Sequence, residues 1–220
     1  MSETGKDPAD TPPDATPEKR KRTAVERWFA ALQNPLARGD RAALRRAQTV
    51  TEACMVPASY ALPAALMANA RTDRHPEAET VARIAMALAT VDTDTDTLKV
   101  QTGAALDGDD DAPTPNVRRQ RTGAALGRAF AVRRPDTGKP RVSGDRLRLI
   151  CTADDPDEFL RLLRGAIRLL EEKAPVADIA RVVEAWHRPA ARDAARRQIL
   201  LSYFQTNHDA FADLMEPNDA

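Results

Sequence analysis

Residues 116 to 150 hold ten Lys or Arg and two acids: Arg118, Arg119, Arg121, Arg128, Arg133, Arg134, Lys139, Arg141, Arg146 and Arg148 against Asp136 and Asp145. A guanidinium is a planar fork that grips a phosphate through two parallel hydrogen bonds, so the chemistry this block offers is polyanion binding. The formal net charge of the chain is +0, but residues 92 to 111, directly before the block, hold seven Asp and one Lys. Neutrality is a cancellation between blocks. A polyanion feels the nearest patch within about one Debye length, roughly 8 Å, so the neutral total does not exclude it.

The chain carries 27 Arg and 6 Lys. Arg164 and Arg168, and Arg192 and Arg196, stand four apart on expected helices, where like charges repel by about 0.2–0.5 kcal/mol unless a counter-charge is present. An external polyanion would supply one, but so would pairing within the chain, as Asp193 can offer Arg197. Aromatics make up 4% of residues, and Trp28, Phe29, Phe159, Trp186, Tyr203 and Phe204 all fall on expected apolar faces. Few rings remain for stacking bases, so phosphate contacts should dominate and sequence preference should be weak.

Catalytic constellations are missing from the pattern. His75, His187 and His208 are scattered, with no second His or Cys at metal-ligand spacing. There is no Gly-rich phosphate loop, no nucleophile elbow and no CxxC. Asp92, Asp94 and Asp96 imitate a calcium loop, but Thr97 stands where Gly is required and Gly103 where a bidentate Glu is required. The expectation is a non-enzyme with no metal and no cofactor. Cys54 and Cys151 read as two buried thiols of a reducing cytosol, and no signal peptide or membrane span is legible, which together imply a cytoplasmic protein.

The elements that must position the arginines are helical. Ala, Leu and Arg are abundant and period-2 runs of β-branched residues are absent, so a sheet has little to build on. Residues 1 to 22 read as a disordered tail ending in Lys19-Arg20-Lys21-Arg22. Thr23 and Glu26 have capping-box spacing ahead of Val25, Trp28, Phe29 and Leu32. A second helix is expected from Asp40 through Cys54, with Leu44 and Ala47 inward. Further helices follow over 57–69, from Pro76 through Leu88, over 122–131, from Ser143, from Asp155 to Leu170, from Ile179 to Trp186, and over 190–206. The predicted class is an all-α helical bundle with two small lobes, 23–91 and 117–206. A mobile acidic loop over 92–116 separates them, and residues 207–220 form a tail.

Several stretches resemble a known family. Leu44-Arg45-Arg46-Ala47 after an Arg-Gly-Asp start, Thr122-Gly123-Ala124-Ala125-Leu126-Gly127-Arg128-Ala129, and the run from Val142 to Gln205 are similar to CasB, the small subunit of the type I-E CRISPR surveillance complex Cascade. That run includes Ala153-Asp154-Asp155, Leu160-Arg161-Leu162-Leu163-Arg164 and the late Trp186. The resemblance implies a non-catalytic, all-α subunit of a ribonucleoprotein in antiviral defence, present in two copies. It would pack on the large and backbone subunits, with guide RNA and target DNA in the same assembly. It would hold the R-loop open by giving the displaced DNA strand a positive path. Carried over by motif, the strand-contacting residues are Arg45, Arg46, Arg128, Arg146 and Arg164, with Arg188 after the Trp. Thr152 and Asp155 depart from the basic residues expected there, which shifts part of the path toward Arg148 or Arg161. The competing reading is a structural helical adaptor whose arginines meet acidic protein partners. A helix-turn-helix reader lacks a recognisable recognition helix.

Overall fold

Short capping signals open four of the helices in the computed structural model, which describes residues 23–67, 77–95 and 121–207. Thr23 opens α1 (Ala24–Leu32), and its hydroxyl and the Glu26 carboxylate exchange both bonds of the expected capping box. A single 3-10 turn, Pro35–Ala37, leads into α2 (Arg38–Arg46). The continuous helix expected from Asp40 to Cys54 is broken. The chain leaves helical geometry at Ala47 and restarts as α3 (Val50–Cys54). Thr49 caps the restart by accepting from the Glu52 N–H at 3.2 Å, and Glu52 in turn accepts from the Gln48 N–H at 2.8 Å. The Thr49–Glu52 spacing is itself a helix-start signal, masked in the sequence by the apolar period that spans the break.

Helices α4 (Pro57–Met67) and α5 (Ala78–Ala89) complete the first half. The Pro76 start lies outside the described residues. Every residue of α5 from Thr80 onward is buried. This helix is the axle of the molecule, packing on α2, α3 and α4 at one side and on helices of the second half at the other. That half comprises α6 (Ala124–Ala131), α7 (Gly144–Thr152), α8 (Pro156–Leu169), α9 (Val176–Trp186) and α10 (Pro189–Thr206). One cluster of buried apolar side chains runs through both halves, from Trp28, Leu44 and Leu62 to Phe130, Ile150 and Trp186. The class is all-α, and the two expected lobes share this core.

Two contacts across the chain bear on the site. A two-residue parallel ladder pairs β1 (Thr93–Asp94) with β2 (Lys173–Ala174). The start of the acidic stretch, assigned to a mobile loop from its charge, is therefore held in place. Asp94 is buried and its Oδ1 accepts from the Val176 N–H at 3.1 Å, at the start of α9. Residues 96–116 of that stretch, the 1–22 tail and residues 208–220 lie outside the described residues, while Asn207 is buried.

The α8–β2 turn is the second. Glu171 and Glu172 both take left-handed backbone, φ 57° and 59°, which costs a non-glycine residue about 1–3 kcal/mol. The turn is fixed by the helix end: Glu171 N–H donates to Arg168 O and Glu172 N–H to Ile167 O, each at 3.1 Å, while the Glu172 carbonyl accepts from Asp92 N–H at 2.7 Å.

The Trp186 region is a packing device. Its ring stacks on Phe159 with centroids 3.6 Å apart, its Nε1 donates to Ala153 O at 3.0 Å, and the Arg196 guanidinium lies 5.2 Å over its ring. Asp154 pairs with Arg192 and Arg196, and Asp155 caps α8. The acids of Ala153-Asp154-Asp155 thus have structural roles, one pairing with two arginines of α10 and the other capping α8. Phe204, assigned to the apolar face, is instead 51% exposed on α10, edge-on to buried Tyr203.

Candidate nucleic-acid interface

The Thr122–Ala129 motif builds a platform for Arg128. Gly123 has φ 93°, which favours glycine, and a Cβ there would lie 2.6 Å from Ile199 Cγ1. One turn later, a Cβ on Gly127 would overlap the Ile199 carbonyl oxygen. The two glycines let α6 lie directly against α10. Asp178, fully buried on α9, closes the start of α6: its carboxylate accepts from Gly123 N–H and Leu126 N–H, each at 2.9 Å. Arg128 projects from the outer face of this helix, exposed and without an ion pair among the described residues.

Arg128 lines a cleft of about 430 Å³ with Arg141 and Lys173. Arg141 Nη1 meets Glu171 Oε1 at 2.6 Å, and Lys173 Nζ meets Glu171 Oε2 at 3.3 Å. The hydrogen bond from Arg141, with a second from Lys173, holds the Glu171 carboxyl below the usual carboxylate range.

The second basic centre lies at the α2–α3 break. Arg164 is 8% exposed. Its guanidinium donates to the main-chain carbonyls of Ala47, at 2.9 Å, and Arg45, the acceptors that α2 leaves free where it stops. Burial, with Arg168 and Arg45 nearby, pulls its pKa below the ordinary arginine value. Arg45 shares Asp92 with Arg41 and also pairs with Glu172. Arg161, Arg164 and Arg168 line a cleft of about 410 Å³ with Gln48, Val50 and the acidic residues Asp157 and Glu158. Spacing on α8 already put Arg164 and Arg168 side by side.

The sequence-derived residues thus fall in distinct places. Arg45 and Arg164 come together. Arg128 stands at the other cleft, and the Glu171–Glu172 turn lies between the two, with Glu172 on Arg45 and Glu171 on Arg141. Arg46, Arg146 and Arg148 are exposed on α2 and α7 and have no ion pair among the described residues. Arg188, at the start of α10, is paired with Glu184 at 3.0 Å. Arg118 and Arg119 of the opening block lie outside the described residues. Lys173 was not legible as a site residue, because only the turn brings it beside Arg141.

A family model, CRISPR-associated protein Cse2, matches residues 40–204. The chain belongs to the Cse2 family. Cse2, also called CasB, is the small subunit of type I-E Cascade, so this chain is a subunit of a CRISPR Cascade complex with other subunits. The Cse2 match takes in both basic centres, the α6 platform and the turn between them, and leaves α1 outside it. Searches of curated proteins and of solved structures gave no match. Among the described residues of this Cse2 chain, no group of His, Cys, Asp and Glu is arranged to hold a metal ion, and no helix is long and apolar enough to cross a membrane.

Proposed function

We propose that this chain stabilises the R-loop of a cytoplasmic, antiviral Cascade ribonucleoprotein by binding the displaced non-target DNA strand, without reading its sequence and without catalysis. The observation that carries this reading is the set of exposed arginines, Arg46, Arg128, Arg146 and Arg148, lacking carboxylate partners among the described residues, together with two clefts that arginines line. Cations without internal partners are the most readily available to phosphates. Sequence discrimination in such assemblies belongs to guide–target pairing, so a base-blind arginine surface is what the displaced strand requires. Arg164 acts in this reading by fixing the main chain that carries Arg45 and Arg46, while Arg188 is a rim contact.

The test uses the assembled complex with guide RNA and a matched duplex. Charge reversal of Arg46, Arg128 and Arg168 should shorten R-loop lifetime and flatten its salt dependence, with the complex still assembling. Unchanged R-loop lifetime overturns the reading. A second reading, a structural adaptor, is favoured by the exposed Leu149, Leu201 and Phe204. A target lacking the displaced strand separates the two, since an adaptor contributes equally with and without that strand.

A further inference from the structure

The cleft beside Arg128 has a composition unlike a plain phosphate track. Its lining includes the apolar side chains of Ala125, Ala129 and Leu170 next to the cations Arg128, Arg141 and Lys173. Two of those cations converge on one carboxylate, with Glu171 held by Arg141 at 2.6 Å and Lys173 at 3.3 Å. Two cations fixed around a single acid group form an anion site, here filled by the chain's own side chain. The Glu171 side chain is 58% exposed and that of Arg141 17%, so the pair is open to solvent on its carboxylate side, and an incoming anion can exchange with Glu171 there.

An aliphatic recess beside a two-cation acid site matches a nucleotide, which has a flat apolar-faced base joined to a phosphodiester. The cleft volume of about 430 Å³ lies in the range of small-ligand sites. Thr95 and Thr206 are its only neutral hydrogen-bonding side chains among the described residues, so the recess can hold a base without identifying it.

We propose that this cleft binds one nucleotide unit of single-stranded DNA, with the base against Ala125, Ala129 and Leu170 and its phosphodiester between Arg141 and Lys173 in place of the Glu171 carboxylate. Arg128 takes the neighbouring phosphate. The inference rests on the single-strand reading above and adds a base subsite to it.

The test measures binding of the full chain to fluorescent oligothymidylate, to an abasic strand of the same length and charge, and to the matching oligouridylate. The parent protein should bind oligothymidylate about threefold or more tighter than the abasic strand, because only the former buries apolar base area. Ala129→Leu, which fills the recess, should erase that difference. Glu171→Gln, which keeps size and removes the competing charge, should tighten both DNA strands by about threefold or more, whereas Asp145→Asn, the same charge change on α7, should not. Equal binding of the thymidine and abasic strands by the parent overturns the base subsite. No gain from Glu171→Gln, or an equal gain from Asp145→Asn, overturns the phosphate exchange. Tighter binding of oligouridylate overturns the assignment to DNA. Failure of the parent to bind any strand overturns the single-strand reading itself.

Discussion

Arg164 Nη1 donates to the main-chain oxygen of Ala47 at 2.9 Å, joining α8 to the point where α2 stops. The same guanidinium reaches Arg45 O. One side chain therefore serves two carbonyls that the broken helix cannot satisfy, and a buried carbonyl without a donor costs about 1–3 kcal/mol. Arg164→Met should lower unfolding free energy by about 1–3 kcal/mol, read as a denaturant midpoint. Arg164→Lys should restore little, because a single ammonium lacks the fork that spans two oxygens. Unfolding as stable as the parent's in both variants would remove the structural role of this guanidinium.

Acid should destabilise the fold through Asp157. A hydrogen bond from Arg83 holds its carboxyl below the usual range, with partial burial opposing. Its folded value thus lies below the unfolded value of about 3.9. A depressed carboxylate contributes stability that is fully present above the unfolded value and is lost as pH falls through the folded one. Asp157→Asn should cost about 1 kcal/mol at pH 6, after discounting for the exposure of the carboxylate. The variant and parent should then converge as pH falls below about 3.9 and through the folded value. Parallel melting curves at all pH values would contradict the linkage.

The two thiols should separate kinetically. Cys151 is buried on α7, and desolvation pushes its pKa up to about 11. Thiolate is the nucleophile, so almost none is available near pH 8. A thiol reagent should leave Cys151 unlabelled in the native protein and label it once denaturant unfolds α7. Rapid native labelling of Cys151, located by peptide mapping, would show that α7 opens locally.

Legibility in the sequence followed the range of the interaction. The Thr23–Glu26 box and the Asp155 cap with Pro156 are local, and the structure has both caps. Asp155 accepts from the Asp157 and Glu158 N–H groups, while the Glu158 carboxylate faces Arg161 at 3.9 Å. The α2–α3 break was hidden by an apolar period that continues across it, despite the Thr49–Glu52 signal. Asp92 and Asp94 were grouped with a loop by charge, and only their contacts with Arg41, Arg45 and α9 reveal otherwise. Glu171 and Glu172 carry no turn signature at all. Their left-handed backbone is imposed by the α8 end and the β1–β2 ladder, and with it the placement of Lys173. Arginine type and helical spacing therefore pointed to arginines on helix faces. Which arginines have carboxylate partners depended on contacts between residues far apart in sequence.

Glycines on α6 and α8 should respond in opposite directions to the same substitution. A Cβ at Gly127 would overlap Ile199 O and press on Ser202, so Gly127→Ala must move α6 off α10. Such overpacking costs about 1–3 kcal/mol, and the shift carries Arg128 away from Arg141 and Lys173. Gly165 sits inside α8, and a methyl group added there would meet nothing within 4 Å. Gly165→Ala should stabilise by about 0.5–1 kcal/mol, since a helix-interior glycine only adds unfolded-state freedom. At this chain length each kcal/mol moves the melting temperature by about 2–4 °C. The expected result is a lower Tm and weaker single-strand binding for Gly127→Ala, and a higher Tm with unchanged binding for Gly165→Ala. If Gly127→Ala melts lower yet binds single strands as the parent does, the close α6–α10 approach serves stability alone and does not position Arg128.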